Sequence, residues 1–172
     1  MRYDMSQSNV SQKELLSHSE CEELIRLFND RINSTFRLDW DTERSNLPTD
    51  RKQRLYLFEK SDILYKQLSN KILGDQDGYL IELFIARYNV SEGVDWHTDF
   101  EYYEKQPPYK NKRRINFSIV LTNDFKGGIL EINSESVSTP VGTITYFDAS
   151  INHRVTRVTD GTRYSLIGWI YK

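Results

Sequence analysis

The segment His97-Thr98-Asp99 has the residue types and the spacing of a metal-binding element. In an extended strand, residues i and i+2 point to the same side, so the His97 imidazole and the Asp99 carboxylate can reach one ion. His153 begins a later predicted strand, which a sandwich or barrel can bring across from the first. Two imidazoles and one carboxylate bind Fe(II) on one face, leaving three open positions that a bidentate 2-oxo acid and O2 can occupy.

An H-x-D motif by itself supports this interpretation only weakly, because it occurs by chance in many proteins. Each histidine, taken singly, is also compatible with an ordinary surface or core position. A Zn(II) site with the same ligands is a further alternative, although zinc hydrolases need only one open position. Other residues must therefore decide between these alternatives.

Arg163 opens the last predicted strand and shares one face with Ser165, Ile167 and Trp169 by the two-residue period of a strand. A guanidinium inside a small barrel is unfavourable unless it is paired. A carboxylate is a natural partner, because it accepts two hydrogen bonds from the planar fork of an arginine. The pattern favours a dicarboxylate cosubstrate near Arg163, and a surface salt bridge at the strand end is the alternative.

The chain changes from a helical to a strand pattern near residue 78. The predicted helices are Ser19–Ile32, with Ser19 as N-cap and Glu22 as its capping-box partner, and Asp62–Leu73. The predicted strands are Tyr79–Val90, Arg114–Asn123, Ile129–Asn133, Val141–Phe147, His153–Val158 and Arg163–Tyr171. This order predicts a mainly β sandwich or barrel with N-terminal helices against one face.

The composition excludes several classes of protein. The chain has 172 residues, which predicts one domain, and its 23 Lys+Arg against 25 Asp+Glu give a formal charge of −2. Nucleic-acid-binding domains are usually strongly basic, so no nucleic-acid partner is expected. Cys21 is the only cysteine, which excludes a disulfide scaffold and a cysteine-based zinc finger.

The sequence predicts neither a membrane partner nor export. It contains no run of about 18 apolar residues of the kind that spans a bilayer. Its N-terminal residues, MRYDMSQSNV, lack the apolar stretch of a signal peptide. Together with the lone thiol, these features predict a cytoplasmic protein, and they leave the oligomeric state open.

Three stretches of the chain match one known family. They are ARYNVSEGVDWHTD, RRINFSIVLTNDFKGGILEI and GTITYFDASINHRVTRVTDGTRYSLIGWIYK. The residues that carry the match are Tyr88 and Gly93 ahead of the H-x-D motif, Gly127-Gly128, His153, Gly161-Thr162-Arg163 and Trp169. Over roughly Tyr79 to Lys172 the sequence resembles the 2-oxoglutarate- and Fe(II)-dependent oxygenases of the prolyl 4-hydroxylase type, including the bacterial PKHD-type hydroxylases.

The resemblance implies a double-stranded β-helix, the jelly-roll or cupin-like fold, in a single domain over residues 1–172. Residues 1–78 would give helical support and residues 79–172 the catalytic core. It implies Fe(II) held by His97, Asp99 and His153. Arg163 would bind the distal carboxylate of 2-oxoglutarate, and Tyr88 would lie near cosubstrate or substrate, although a core aromatic is the alternative for Tyr88.

The resemblance also implies an activity, the hydroxylation of an unactivated C–H bond with O2, releasing succinate and CO2. The expected substrate is a prolyl residue in a peptide or protein. The same chemistry on a free amino acid or other small molecule, and a non-catalytic binding module, are the alternatives. Ascorbate is expected as a reductant that keeps the iron active.

The sequence departs from the family at the second contact to the distal carboxylate. Related prolyl hydroxylases supply a tyrosine from the strand after H-x-D, but RINFSIVLTN has none, and Ser165 is the predicted substitute. The segments Phe100–Arg114 and Asp41–Arg54 are predicted loops. Each is a candidate substrate rim, with an ordinary surface loop as the alternative.

Overall fold

The fold is that of a computed structural model, which describes residues 10–38, 53–99 and 113–172. Its helices are α1 (His18–Asp30) and α2 (Ile63–Leu73), with a short 3-10 turn at Ile32–Ser34. Its strands are β1 (Val10–Glu14), β2 (Phe36–Leu38), β3 (Gln53–Leu57), β4 (Tyr79–Tyr88), β5 (Val94–His97), β6 (Arg113–Val120), β7 (Phe125–Gly127), β8 (Leu130–Ile132), β9 (Glu135–Ser136), β10 (Thr143–Asp148), β11 (His153–Val155), β12 (Val158–Gly161) and β13 (Arg163–Tyr171).

Two antiparallel sheets form the body of the fold. The seven strands of the major sheet are ordered β1-β10-β6-β13-β4-β3-β2, and the four strands of the minor sheet are ordered β5-β11-β8-β9. Strands β7 and β12 form a separate pair. This mainly β arrangement with two helices confirms the predicted fold class, a double-stranded β-helix with N-terminal helices.

The two faces of the major sheet have different roles, because side chains alternate along each strand. On one face, Leu166 and Ile170 of β13 pack in a buried cluster with Phe28 of α1 and Ile72 of α2. On the other face, Arg163, Ser165, Ile167 and Trp169 point away from the helices, and three of them line a cavity: Arg163, Ile167 and Trp169. The helices therefore cover one face and leave the opposite face for chemistry.

The N-cap of α1 differs from the prediction by two residues. The cap is Ser17, whose side chain accepts a hydrogen bond from the Glu20 backbone N–H, while the Glu20 carboxylate accepts from the Ser17 N–H. The Ser19–Glu22 pair has the same spacing, so local pattern alone does not separate the two starts. Glu20 also pairs with Lys71 of α2, a tertiary contact that favours the observed cap.

Residues before position 78, where the sequence pattern is mostly helical, contribute strands as well as helices. Strand β1 pairs with β10 from Val10↔Phe147 to Glu14↔Thr143, and β3 pairs with β4. The polar sequence of β1, VSQKE, lacks the alternation that identifies a strand, and its partner strand supplies the order. The assignment of 1–172 to one domain stays a prediction.

The predicted loops lie mostly outside the described residues. Of the segment 41–54, residues 53 and 54 belong to β3, and of the segment 100–114, residues 113 and 114 belong to β6. The predicted strand His153–Val158 is instead two strands, β11 and the start of β12. In the parts of the chain that the structure describes, neither helix combines the length and apolarity needed to cross a bilayer.

Candidate metal centre

The minor sheet brings the two predicted histidine ligands together. Strands β5 and β11 are antiparallel neighbours with His153 directly opposite His97, and the two ring centroids are 4.1 Å apart. Asp99 lies just after β5, where its backbone N–H donates to the Ala149 carbonyl at 2.9 Å. One potential ligand atom from each of the three residues lies within 4.8 Å of the others. The predicted trio therefore meets at one point between the sheets.

Backbone carbonyls orient both imidazoles. Nδ1 of His97 lies 2.6 Å from the Asp95 carbonyl oxygen, and Nδ1 of His153 lies 2.9 Å from the Ile151 carbonyl oxygen. Because a carbonyl only accepts, these contacts assign a proton to each Nδ1, and in the neutral imidazole the lone pair is then on Nε2. The two Nε2 atoms point at Asp99, at 3.8 Å from Oδ1 for His97 and 3.4 Å from Oδ2 for His153. This is the tautomer and direction that a metal ligand needs.

Two donors from the major sheet hold the Asp99 carboxylate, which is only 4% exposed. Asn116 Nδ2 donates to Asp99 Oδ2 at 2.8 Å, and Trp169 Nε1 donates to the same oxygen at 3.0 Å. The buried carboxylate is thus kept as a hydrogen-bonded anion beside two imidazole lone pairs. Two neutral nitrogen ligands and one anionic oxygen ligand fit a divalent ion such as Fe(II).

A cavity of about 330 Å³ runs from the metal centre along the inner face of the major sheet to Arg163. Its wall is mainly apolar. The apolar residues of the major sheet in this wall are Leu55, Leu57, Phe84, Phe117, Phe147, Ile167 and Trp169, and the minor sheet adds Val94, Leu130 and Val155. Such a wall limits water near the metal and leaves the polar groups at the two ends to fix a ligand.

Arg163 closes the far end of the cavity and is 1% exposed. It lies opposite Tyr88 in the register of β13 and β4, and its guanidinium carbon is 5.3 Å from the centroid of the Tyr88 ring. Its Nε and Nη2 have no hydrogen-bond partner among the described residues. Burial lowers the pKa of Arg163 and raises the pKa of Tyr88 to about 12, which leaves the Tyr88 hydroxyl neutral. A buried cation of this kind is a strong candidate for an anion site.

Gly128 explains the Gly-Gly pair noted in the sequence. Its φ is +57°, and a Cβ at this position would lie 2.8 Å from Cδ of Arg163. Only glycine therefore gives both the backbone conformation and the space that the Arg163 stem occupies.

The sequence comparison identifies the family. Residues 83–171, just over half of the chain, match the model of the 2OG-Fe(II) oxygenase superfamily. The chain belongs to this superfamily. The His97–Asp99–His153 triad of this oxygenase is intact, and the metal and cosubstrate expected for the family are Fe(II) and 2-oxoglutarate.

Two curated relatives share part of the oxygenase sequence. A PKHD-type hydroxylase of Synechococcus sp. (strain CC9605) is 31% identical over 96 residues, which are 51% of this chain and 40% of the relative. A PKHD-type hydroxylase of Hyphomonas neptunium (strain ATCC 15444) is 37% identical over 62 residues, 33% of this chain and 28% of the relative. The matched region thus spans less than half of each relative.

Solved prolyl hydroxylases share the fold of the oxygenase. A viral collagen prolyl hydroxylase from Paramecium Bursaria Chlorella virus-1, in its 2OG complex, gives a TM-score of 0.70 at 15% identity, covering 96% of this chain and 97% of that chain. A Pseudomonas putida prolyl-4-hydroxylase gives 0.71 at 16%, covering 98% and 96%. A Trichoplax adhaerens prolyl hydroxylase, in complex with a hypoxia inducible factor peptide fragment, gives 0.70 at 15%, covering 97% and 85%. At these identities the likeness shows the fold alone.

Three polar residues near the ends of the cavity need separate comment. Ser165 is fully buried and its Oγ has no partner among the described residues, but it is not part of the cavity wall, so its role stays a prediction. Gln53 lines the cavity, and its Oε1 also has no hydrogen-bond partner among the described residues. The sequence pattern had placed Gln53 in a predicted loop. Asn116 was also missed, and its only signal in the sequence is a polar residue inside an otherwise apolar strand.

Proposed function

We propose that this chain is an Fe(II)- and 2-oxoglutarate-dependent dioxygenase that hydroxylates an unactivated C–H bond, with a prolyl residue in a peptide or protein as the expected target. The observation that carries the proposal is one continuous cavity. A buried triad with metal-ligand geometry lies at one end, and at the other lies a buried arginine whose Nε and Nη2 have no hydrogen-bond partner among the described residues. A dicarboxylate that also chelates the metal matches both ends.

Each residue of the triad has a defined task. His97 and His153 would bind the ion through Nε2, since their Nδ1 atoms face backbone carbonyls. Asp99 would bind through a carboxylate oxygen and neutralise part of the charge of the ion. Bound iron, with 2-oxoglutarate and O2, supplies the oxidising power for inserting one oxygen atom into a C–H bond, releasing succinate and CO2.

At the cosubstrate end, Arg163 would donate two parallel hydrogen bonds to the distal carboxylate of 2-oxoglutarate. The neutral Tyr88 hydroxyl would lie beside this carboxylate or beside the substrate. We assign the second contact to the distal carboxylate to the Ser165 hydroxyl. This assignment is supported by the burial of Ser165 Oγ without a hydrogen-bond partner among the described residues, because a bound carboxylate would supply that partner. The arrangement orients 2-oxoglutarate along the cavity, with its keto-acid end toward the triad.

The apolar wall would hold the substrate and exclude water from the reacting C–H bond. The prolyl preference is supported by the names of the fold relatives, which are prolyl hydroxylases in three cases. A peptide target is further supported by the peptide bound to the Trichoplax adhaerens protein. We propose ascorbate as the reductant and the cytoplasm as the location.

The test is succinate formation from 2-oxoglutarate by Fe(II)-loaded protein on exposure to O2. We expect a proline-rich peptide to stimulate turnover and to gain one oxygen atom, while the same peptide with alanine for proline does neither. Turnover that no peptide stimulates would contradict the prolyl assignment and favour a free amino acid or other small molecule. Absence of turnover with iron demonstrably bound would contradict the enzymatic proposal. Ascorbate should lengthen the period of linear turnover.

A further inference from the structure

We propose that Asn116 is a positioning residue that fixes which oxygen of Asp99 is presented to the metal. This inference rests on the proposed metal site and concerns a residue that binds neither metal nor cosubstrate in that proposal. Asn116 is 3% exposed and lies on β6, on the same face of the major sheet as the cavity. Its position follows from the register, since it stands directly opposite Trp169 of β13 and Phe147 of β10.

The register explains why two donors converge on one oxygen. Asn116 and Trp169 are cross-strand neighbours, and both donate to Oδ2 of Asp99, at 2.8 Å and 3.0 Å. An oxygen that accepts two hydrogen bonds has little lone-pair capacity left for a metal. Oδ2 lies 3.4 Å from Nε2 of His153, but its two hydrogen bonds favour Oδ1, which lies 3.8 Å from Nε2 of His97, as the single ligand oxygen of Asp99.

The orientation of the Asn116 amide is set by its neighbours. Nδ2 lies 2.8 Å from a carboxylate oxygen and 3.5 Å from Nε2 of His153, both of which are acceptors. The amide nitrogen must face them, so Nδ2 donates to the carboxylate ligand, and its 3.5 Å separation from Nε2 of His153 leaves the imidazole lone pair available to an ion. Asn116 thus holds Asp99 and lies beside His153 before any ion arrives.

This geometry predicts an effect on metal affinity. Without the Asn116 donor, the Asp99 carboxylate loses one of the two described hydrogen bonds that fix its χ2 torsion, so metal binding must supply part of the orientation that the protein now provides. Removal of an outer partner of a metal ligand typically weakens metal affinity about 10- to 100-fold. The Oδ1 carbonyl of Asn116 has no partner among the described residues, so Asn116 contributes through its donor group.

The experiment measures Co(II) binding to the full chain by titration calorimetry and by the visible absorption of Co(II), which reports coordination number and geometry. Asn116→Leu keeps approximate volume and removes the donor, and we expect it to raise the Co(II) Kd about 10- to 100-fold and to alter the spectrum. Trp169→Phe, which keeps an aromatic ring without the N–H, should shift both readouts in the same direction. Asn70→Leu, on the exposed side of α2, is the matched control and should change neither.

The double variant Asn116→Leu/Trp169→Phe should lose less Co(II)-binding free energy than the sum of the losses of the two single variants, because both donors share one acceptor. A folded Asn116→Leu protein with the wild-type Kd and spectrum would overturn the inference, and Asn116→Ala gives the same readout if the leucine does not fit. His153→Ala separates this outcome from failure of the proposed function. If His153→Ala binds Co(II) like the wild type, the metal site itself is wrongly assigned.

Discussion

The two ends of the cavity differ in how completely the protein satisfies the hydrogen bonding of the side chains that would bind the metal or the cosubstrate. At the metal end, each histidine Nδ1 faces a backbone carbonyl, and the Asp99 carboxylate accepts from Asn116 and Trp169. At the other end, two guanidinium nitrogens of Arg163 and the Oγ of Ser165 are buried without a partner among the described residues.

The difference indicates which part of the site is built in advance and which part a ligand completes. Hydrogen bonds within the protein orient the metal ligands, so the ion meets a site of nearly fixed shape. The Arg163 end keeps an uncompensated cation in an apolar environment, which is unfavourable for the free protein. The unfavourable free energy of the buried cation is relieved when a carboxylate binds. Cosubstrate binding should therefore stabilise the fold strongly at this end.

The largest expected effect is at the metal end. His153→Ala should abolish turnover and metal binding, because it removes one of three ligand atoms and leaves Nε2 of His97 and Asp99 without the opposing imidazole. Thermal unfolding with and without Co(II) measures the loss, since a ligand that binds only the folded state raises the Tm. His18→Ala, at the exposed start of α1, is the matched control. Retained metal-dependent stabilisation in His153→Ala would refute the ligand assignment.

The second effect should have opposite signs for stability and for function. Arg163→Met removes a buried cation, so we expect the free protein to gain about 1 kcal/mol in unfolding free energy. The same change should raise the KM for 2-oxoglutarate about 100-fold, because a buried charge pair is lost, while the Co(II) Kd stays unchanged. Arg26→Met on the exposed face of α1 should affect neither quantity. If Arg163→Met without metal and cosubstrate has a lower unfolding free energy than the wild type, the proposal that the Arg163 end is unfavourable in the free protein is wrong.

The same difference explains how far the sequence could predict the site. His97, Asp99, His153 and Arg163 stand at positions where strand period and residue chemistry combine, so their convergence followed once the β class was inferred. Asn116 could not be identified in this way. Its role depends on the register of β6 against β13, which is a property of the assembled sheet.

The fold shows a similar limit at the N-terminal residues. The pattern of β13 was sufficient to predict its bounds, Arg163–Tyr171, because both faces of this strand carry informative residues. The strand β1 is short and polar and takes its order from β10, so its own residues contain little signal. The predicted N-cap of α1 was two residues away from the observed one because two Ser-x-x-Glu pairs have the same spacing. The contact between Glu20 and Lys71, which favours the observed cap, cannot be inferred from the local sequence.

A smaller effect should distinguish two residues at the cosubstrate end. Ser165→Ala should raise the KM for 2-oxoglutarate about tenfold if its hydroxyl donates to the distal carboxylate, since such a bond to a charged group is worth about 1.5 kcal/mol or more. Gln53→Leu should then have little effect on this KM. The reverse result, in which only Gln53→Leu raises the KM, would assign the second contact to Gln53, whose amide lines the cavity.

The smallest effect concerns Tyr88 and alkaline pH. Burial raises the pKa of Tyr88 from 10.0 to about 12, so the folded protein keeps the phenol protonated where the unfolded chain has lost the proton. The unfolded state then binds fewer protons than the native state, and the unfolding free energy falls as the pH rises from about 10 through 12. Near pH 11 the loss attributable to Tyr88 is about 1 kcal/mol.

Tyr88→Phe should therefore lose less stability than the wild type between pH 8 and pH 11, as measured by urea unfolding at both values. Because other buried groups titrate equally in both proteins, identical losses would show that the Tyr88 hydroxyl reaches solvent, and the Arg163 end would then be less enclosed than its burial indicates.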